Sequence, residues 1–281
     1  MPAVVDPTED VRRAYPRPML VREKWVCLNG AWEFARNVSA NALQPAKVEF
    51  DEHIDVPFAP ESPLSGIHDE AFLPRCWYRR SFDRPKLSLT DRCILHFEAA
   101  DYTANVWVNG QFIGSHEGGY TRFSFDITDQ LLDSPQQSIA VRIDDDPQDL
   151  SKPRGKQDWK AQPHAIWYPR TTGLWQSVWM EIVPAVRISS IQWTPCVKDW
   201  CIGVETHLHG INATSADAGN LRLNIKLAIG ERVLADDIYT VTDSIVSRTI
   251  QLSDPGIDDA RSELLWSVDR PNLIDAQLTL L

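Results

Sequence analysis

DYTANVWVNGQFIGSHEGGYTRFSFDIT, residues Asp101 to Thr128, reads as two strands joined by a tight turn and followed by a glycine-rich loop. Tyr102, Ala104, Val106 and Val108 fall on one face of an extended chain, because side chains alternate across a strand. Asn109-Gly110 is a dipeptide that accepts positive φ at both residues, which is what a two-residue hairpin turn requires. Such a turn sets the register. Val108 is expected opposite Gln111, Trp107 opposite Phe112, and Val106 opposite Ile113. Trp107 and Phe112 then share the second face, so both faces carry apolar cover. The stretch holds no nucleophile–base pair and no cluster of metal ligands. It points to a sandwich that recognises something and away from a self-contained catalyst.

The neighbouring segments follow the same pattern. WYRRSFDRP (Trp77–Pro85), RCILHFEAA (Arg92–Ala100), RFSFDIT and SIAVRIDDD read as strands. In RCILHFEAA, Cys93, Leu95 and Phe97 share one face and Ile94 and His96 the other. KWVCLNGAWEFARN (Lys24–Asn37) reads as a strand pair around a hairpin-type turn at Asn29-Gly30. Residues 51–76, rich in proline, read as one long loop, and Pro153 to Pro169 as a second. RTTGLWQSVWMEIVP reads as a strand ending near Pro184, the expected domain boundary. Beyond it, VRISSIQWTP, CIGVETHLHG, LRLNIKLAIG, SIVSRTIQL and IDAQLTLL are short strands. Leu221, Leu223, Ile225 and Leu227 alternate with Arg222, Asn224 and Lys226, as in a half-buried sandwich strand. This spacing suggests an immunoglobulin-like sandwich without its Cys–Trp–Cys hallmark.

Bulk properties narrow the function classes. A chain of 281 residues with 43% hydrophobic and 24% charged residues has room for two ordinary domains. A formal net charge of −11 argues against nucleic acid and anionic membranes, which reward clustered Lys and Arg. It suits a neutral ligand. No apolar run reaches membrane-span or signal-peptide length. Five scattered cysteines, Cys196 and Cys201 among them without zinc spacing, fit reduced thiols in a cytoplasmic protein. Asn37-Val38-Ser39 and Asn212-Ala213-Thr214 match the glycosylation pattern, which carries weight only with a secretory signal. Eleven tryptophans are mostly expected in cores, with a few exposed to stack on sugar faces.

No phosphate loop, Gly-x-Ser-x-Gly elbow or His-Glu-x-x-His motif occurs, and no cofactor is expected. His116 and His164 sit in loops, either as ligand contacts or as ordinary surface histidines. Asp144-Asp145-Asp146 reads as the solvated end of a strand, with a calcium site as the minor alternative. Asp126 is expected to bond local turn backbone. Gly118-Gly119 supplies backbone freedom or lets a sugar approach Tyr120.

LNGAWEF, WYRRSF, VWVNGQFIGSHEGGYTRFSFDIT and RTTGLWQSVWMEIVP, in this order and spacing, resemble the N-terminal sugar-binding domain of glycoside hydrolase family 2. That family comprises the β-galactosidase, β-mannosidase and β-glucuronidase group. LLWSVDRPNLIDAQLTLL resembles the end portion of that family's immunoglobulin-like domain, which carries a Trp-Ser-x-x-x-Pro-x-Leu signature. The resemblance implies an all-β chain: a jelly-roll, galactose-binding-like sandwich over residues 1–184, then an immunoglobulin-like β-sandwich over 185–281, incompletely paired at its C-terminal edge. In the family these precede a (β/α)₈ barrel whose two Glu residues hydrolyse β-glycosides with retention.

The chain alone is therefore expected to be inactive, its partners being a carbohydrate and the catalytic barrel of the same polypeptide. A homo-oligomer remains open. The second reading is a stand-alone, lectin-like carbohydrate-binding protein.

Family galactosidases and glucuronidases carry a sugar-contacting Asp just before the strand matching RTTGLWQSVW. Counting back from Gly173 places Trp167 there, with Asp158 further upstream. Galactose or glucuronic acid specificity is thus not carried over. Arg154, Lys156, Gln157, Tyr168 and Arg170 are the implied polar reach toward a substrate, with Asp158, His164 and Tyr120 completing the candidate set. Each has a plain alternative, which is to fix the loop on the sandwich.

Overall fold

The computed structural model describes residues 15–36, 38–39, 41–211, 220–252 and 262–281. Both glycosylation-type acceptors, Asn37 and Asn212, lie outside these, as do residues 1–14. The chain divides into two compact units, Met1–Val183 and Pro184–Leu281. Among the described residues all helical segments are single 3₁₀ turns, and the fold is all-β.

The first unit is a two-sheet sandwich. Among the described residues its ten strands are β1 (Trp25–Cys27), β2 (Gly30–Arg36), β3 (Glu52–Val56), β4 (Arg75–Asp83), β5 (Asp91–Phe97), β6 (Thr103–Val108), β7 (Gln111–Glu117), β8 (Phe123–Asp126), β9 (Gln136–Asp144) and β10 (Val178–Pro184). Six form one sheet in the order β3-β2-β4-β9-β6-β7, and four form the other in the order β1-β10-β5-β8. Trp32, Phe34, Tyr78, Val106 and Val141 from the large sheet meet Cys93, Leu95, Phe97 and Met180 from the small one in a single core. Each fully buried side chain of this size contributes roughly 1.5–3 kcal/mol. The outer face of the large sheet is covered as well: Trp77 and Trp107 pack with ring centroids 5.1 Å apart beside Ala35 and Ala140.

The central hairpin departs from simple register at one point. Val108 pairs with Gln111 and Trp107 with Phe112, but Val106 pairs with Gly114, because a β-bulge lies between Val106 and Trp107. A bulge puts two residues of one strand opposite one of its partner. A Cβ on Gly114 would meet the Phe125 ring at 2.4 Å, so glycine is needed where the bulge brings the strand onto β8.

Two other expectations are corrected. Lys24–Asn37 is no hairpin: β1 pairs with β10, and β2 pairs with β3 and β4. Asn29 joins the sheets, donating to Ser177 Oγ at 3.0 Å and accepting from Val178 N at 3.0 Å. Residues 51–76 are not one loop either, since β3 lies within them.

The second unit contains β11 (Arg187–Cys196), β12 (Cys201–His209), β13 (Arg222–Ile229), β14 (Arg232–Thr240), β15 (Ile245–Gln251) and β16 (Asp275–Leu280). They form two three-stranded sheets, β11-β12-β15 and β14-β13-β16. Leu223, Ile225 and Leu227 are buried, as their alternation predicts. β14 escapes a reading by alternation because Asp236-Asp237 interrupts its apolar positions. β16 pairs along β13, from Leu223–Leu280 to Ala228–Asp275.

Candidate functional site

One end of the first unit is closed by the segment that follows β9. Asp144 is held by Arg75 and Arg142, and Asp145 is ion-paired with Lys152 at 3.6 Å and accepts from Thr172 Oγ1 at 3.4 Å. These carboxylates are thus paired with cations and a hydroxyl, and are not spread into water. No group of three or more potential metal ligands occurs among the described residues. Asp126 accepts from Thr128 N at 3.1 Å, the local turn bond its position predicts.

Beneath the segment, Asp101 is buried, and its backbone exchanges two hydrogen bonds with Gly173. Gln157 spans this floor. Its Nε2 donates to Asp101 Oδ2 at 2.7 Å and to the Tyr120 hydroxyl at 3.0 Å, and its Oε1 accepts from Thr171 N at 2.9 Å. Tyr120 donates to the Arg154 carbonyl at 3.1 Å. Tyr120, Arg154 and Gln157 are therefore one bonded group. Gly119 is where Asp101 comes closest: a Cβ there would lie 2.6 Å from the carboxylate carbon. Its lack of a side chain makes room for Asp101. Burial pushes the Asp101 carboxyl up to about 6, against the Gln157 hydrogen bond and Lys152, with Asp145 and Glu61 adding to the rise. Burial likewise raises Glu61 and Asp145.

The outer part of the segment is organised by a second carboxylate. Asp158, only 1% exposed, accepts from Lys160 N at 3.0 Å, His164 N at 2.7 Å and His164 Nδ1 at 2.6 Å. Burial alone would raise its pKa, but these bonds and the nearby imidazole hold it below the usual range. The His164 ring abuts Trp159 edge-on at 5.3 Å, and Trp159 abuts Trp167 at 5.0 Å. Lys156 reaches over the Tyr168 ring, 5.9 Å from its centroid. Tyr168 and Trp159 are 61% and 44% exposed. Arg170 lies over Phe72 and donates to the Glu70 carbonyl at 3.2 Å. Burial lowers its pKa, opposed by Glu61, Asp145 and Asp158.

Residues 65–182 match the family described as "Glycosyl hydrolase 2 galactose-binding domain-like". This segment is a galactose-binding-like domain of the glycosyl hydrolase 2 type. The galactose-binding-like domain and the strands after it are similar to the β-galactosidase of Thermoanaerobacter pseudethanolicus, 26% identical over 243 residues, covering 84% of this chain and 30% of that one. The chain is also similar, over 46% of its length, to the β-glucuronidase of Rattus norvegicus, 31% identical over 144 residues and covering 22% of that one. The chain thus spans less than a third of either relative. In fold it resembles the Bifidobacterium dentium β-glucuronidase complexed with coumarin-3-O-glucuronide, with a TM-score of 0.70 and 21% identity over 93% of this chain and 46% of that one. A family 2 member from Bacteroides cellulosilyticus gives a TM-score of 0.65 at 17% identity, over 92% of this chain and 34% of that one.

Within the galactose-binding-like domain, Arg154, Gln157, Asp158 and Arg170 line one cleft together with Asp101 and Asp145. Its volume is about 30 Å³, against roughly 300–1,000 Å³ for a ligand pocket. Water fits there and a sugar ring does not. Asp101 and Glu61 escape sequence reasoning, and Asp145 is read there only as part of an acidic run, because the chain positions that meet here are widely separated. The only local hint is the Gly118-Gly119 pair, whose second glycine faces Asp101.

Proposed function

We propose that this chain is the non-catalytic, N-terminal portion of a retaining β-glycosidase, and that the segment Pro153–Arg170 shapes the sugar-binding mouth of that enzyme. The carrying observation is the construction of this segment. It is anchored from below by the buried carboxylate of Asp101 and tied internally by that of Asp158, yet its own cleft is too small for a sugar. A rigid polar surface without a pocket of its own suits a wall that a catalytic module completes.

In this reading Asp158 is a positioning residue. By accepting from Nδ1 it fixes the tautomer of His164 and leaves Nε2 as an acceptor for a sugar hydroxyl. Trp159 and Tyr168 offer ring faces to sugar C–H groups, while Arg154 and Lys156 supply donors at the rim. Gln157, Tyr120 and Arg170 hold the segment on the sandwich. The substrate class is a β-glycoside, and the setting is cytoplasmic, in keeping with the free thiols of all five cysteines. In the described residues no helix is long and apolar enough to cross a membrane.

The test is His164→Ala in the glycosidase that carries this chain. We expect kcat/KM to fall about 10- to 100-fold, the scale of one lost positioned polar contact of a few kcal/mol, with the melting temperature preserved. An unchanged kcat/KM would overturn the role of the segment. The exposure of Trp159, Tyr168 and Tyr120 together favours a second reading, a lectin-like module that binds an oligosaccharide unaided.

A further inference from the structure

The tip of the β11–β12 hairpin carries two cysteines directly opposite each other: Cys196 and Cys201 are Cα partners in the antiparallel register. Opposed residues of an antiparallel pair lie roughly 4.5–5.5 Å apart at Cα, inside the roughly 4.4–6.8 Å window that a disulfide needs. Their side chains leave the same face of the ribbon. Both are free, Cys196 half-buried and Cys201 buried. The other cysteines are placed differently. Cys27 faces Trp179, Cys76 faces Arg36 and Ile143, and Cys93 packs on the Met180 sulfur at 3.9 Å.

We propose that Cys196 and Cys201 form a reversible oxidation site, closing into an intramolecular disulfide by exchange with a low-molecular-weight disulfide of the glutathione class. The half-buried Cys196, as thiolate, attacks one sulfur of the small disulfide. The small S–S bond breaks, a mixed disulfide forms on Cys196, and one small thiolate leaves. Cys201, as thiolate, then attacks the Cys196 sulfur and displaces the second small thiolate. The two protons lost by the protein thiols end on the two small thiols, so the protein pair is oxidised and the small disulfide reduced.

The hairpin is set for closure. Trp200 turns the chain at φ 48°, and its carbonyl accepts from Leu252 N at 3.1 Å, tying the turn to the residue after β15. Asp199 accepts from the Cys196 thiol at 3.4 Å.

The test uses the full chain with Cys27→Ser, which removes the exposed thiol elsewhere. After incubation with oxidised glutathione, the protein is alkylated and mapped by mass spectrometry. We expect loss of two alkylatable thiols without added glutathione mass, a cross-linked peptide containing Cys196 and Cys201, and full reversal by dithiothreitol. With Cys201→Ser in the same background, the reaction should stop at a single glutathione adduct on Cys196. The proposal is overturned if the parent protein keeps that adduct while Cys201 remains alkylatable. It is equally overturned if both thiols stay alkylatable with no adduct.

Discussion

The Asp158 carboxylate lies 2.6 Å from His164 Nδ1, six residues along the same loop, while also accepting the His164 backbone N–H. One buried side chain thus fixes both the ring and the backbone of its partner. Removing the acceptor strands donors that have no other partner in the loop. Asp158→Ala should therefore speed amide exchange at Lys160 and His164 by about tenfold or more, with β6 and β9 amides unchanged. Hydrogen-exchange mass spectrometry of the two proteins checks this.

Glu181 makes a stronger and separate prediction. It is 2% exposed and is contacted by Arg17, Arg22, His96 and the Tyr15 hydroxyl. Burial opposes ionisation, yet His96 and the two arginines lower its pKa from 4.5 to about 2. Since the folded value is depressed, this stabilisation is present above the unfolded value and is lost as pH falls from about 4.5 to about 2. Glu181→Ala takes this carboxylate away from the half-buried Arg17 and Arg22 and should cost about 3–5 kcal/mol at neutral pH. Urea denaturation across this pH range should show the gap between the two proteins closing at the acid end.

Asp101 has the opposite sign. Its folded pKa is raised to about 6 from 3.8, so the folded state holds the proton more tightly than the unfolded chain. Stability from this group is full below about 3.8 and falls as pH rises through about 6. Asp101→Asn removes the buried charge. It should be near neutral at acid pH and stabilising at pH above 7, by up to about 3 kcal/mol. Melting temperatures of both proteins across the range read this directly.

Gly119→Ala tests the close approach that makes room for Asp101. The added methyl would meet the carboxylate at 2.6–2.7 Å, and overpacking of this kind costs about 1–3 kcal/mol. In the Asp101→Ala background the same change should be nearly harmless. A double-mutant cycle of chemical denaturation gives that coupling.

How legible these features were depends on the range of the physics behind them. The hairpin at Asn109-Gly110 and the alternation of Leu223, Ile225 and Leu227 are local and periodic, and both are visible in the residues themselves. The bulge at Val106–Trp107 is not, because nothing local marks which strand takes an extra residue. Asn29-Gly30 misleads for a related reason. The dipeptide permits a hairpin, but pairing of β1 with β10, far along the chain, places it between sheets. The candidate loop was recognisable as a whole from Pro153 to Pro169, whereas the roles within it were not. Gln157 and Asp158 are adjacent, yet one reaches Asp101 and the other His164, and only tertiary packing separates them.

The central claim is that this chain supports a sugar site without performing the chemistry. Its most direct test is release of a chromogenic phenol from a panel of aryl β-glycosides by the purified chain, beside a heat-killed control. The account predicts no release above that control at any concentration of the chain. Release that scales with chain concentration would contradict it.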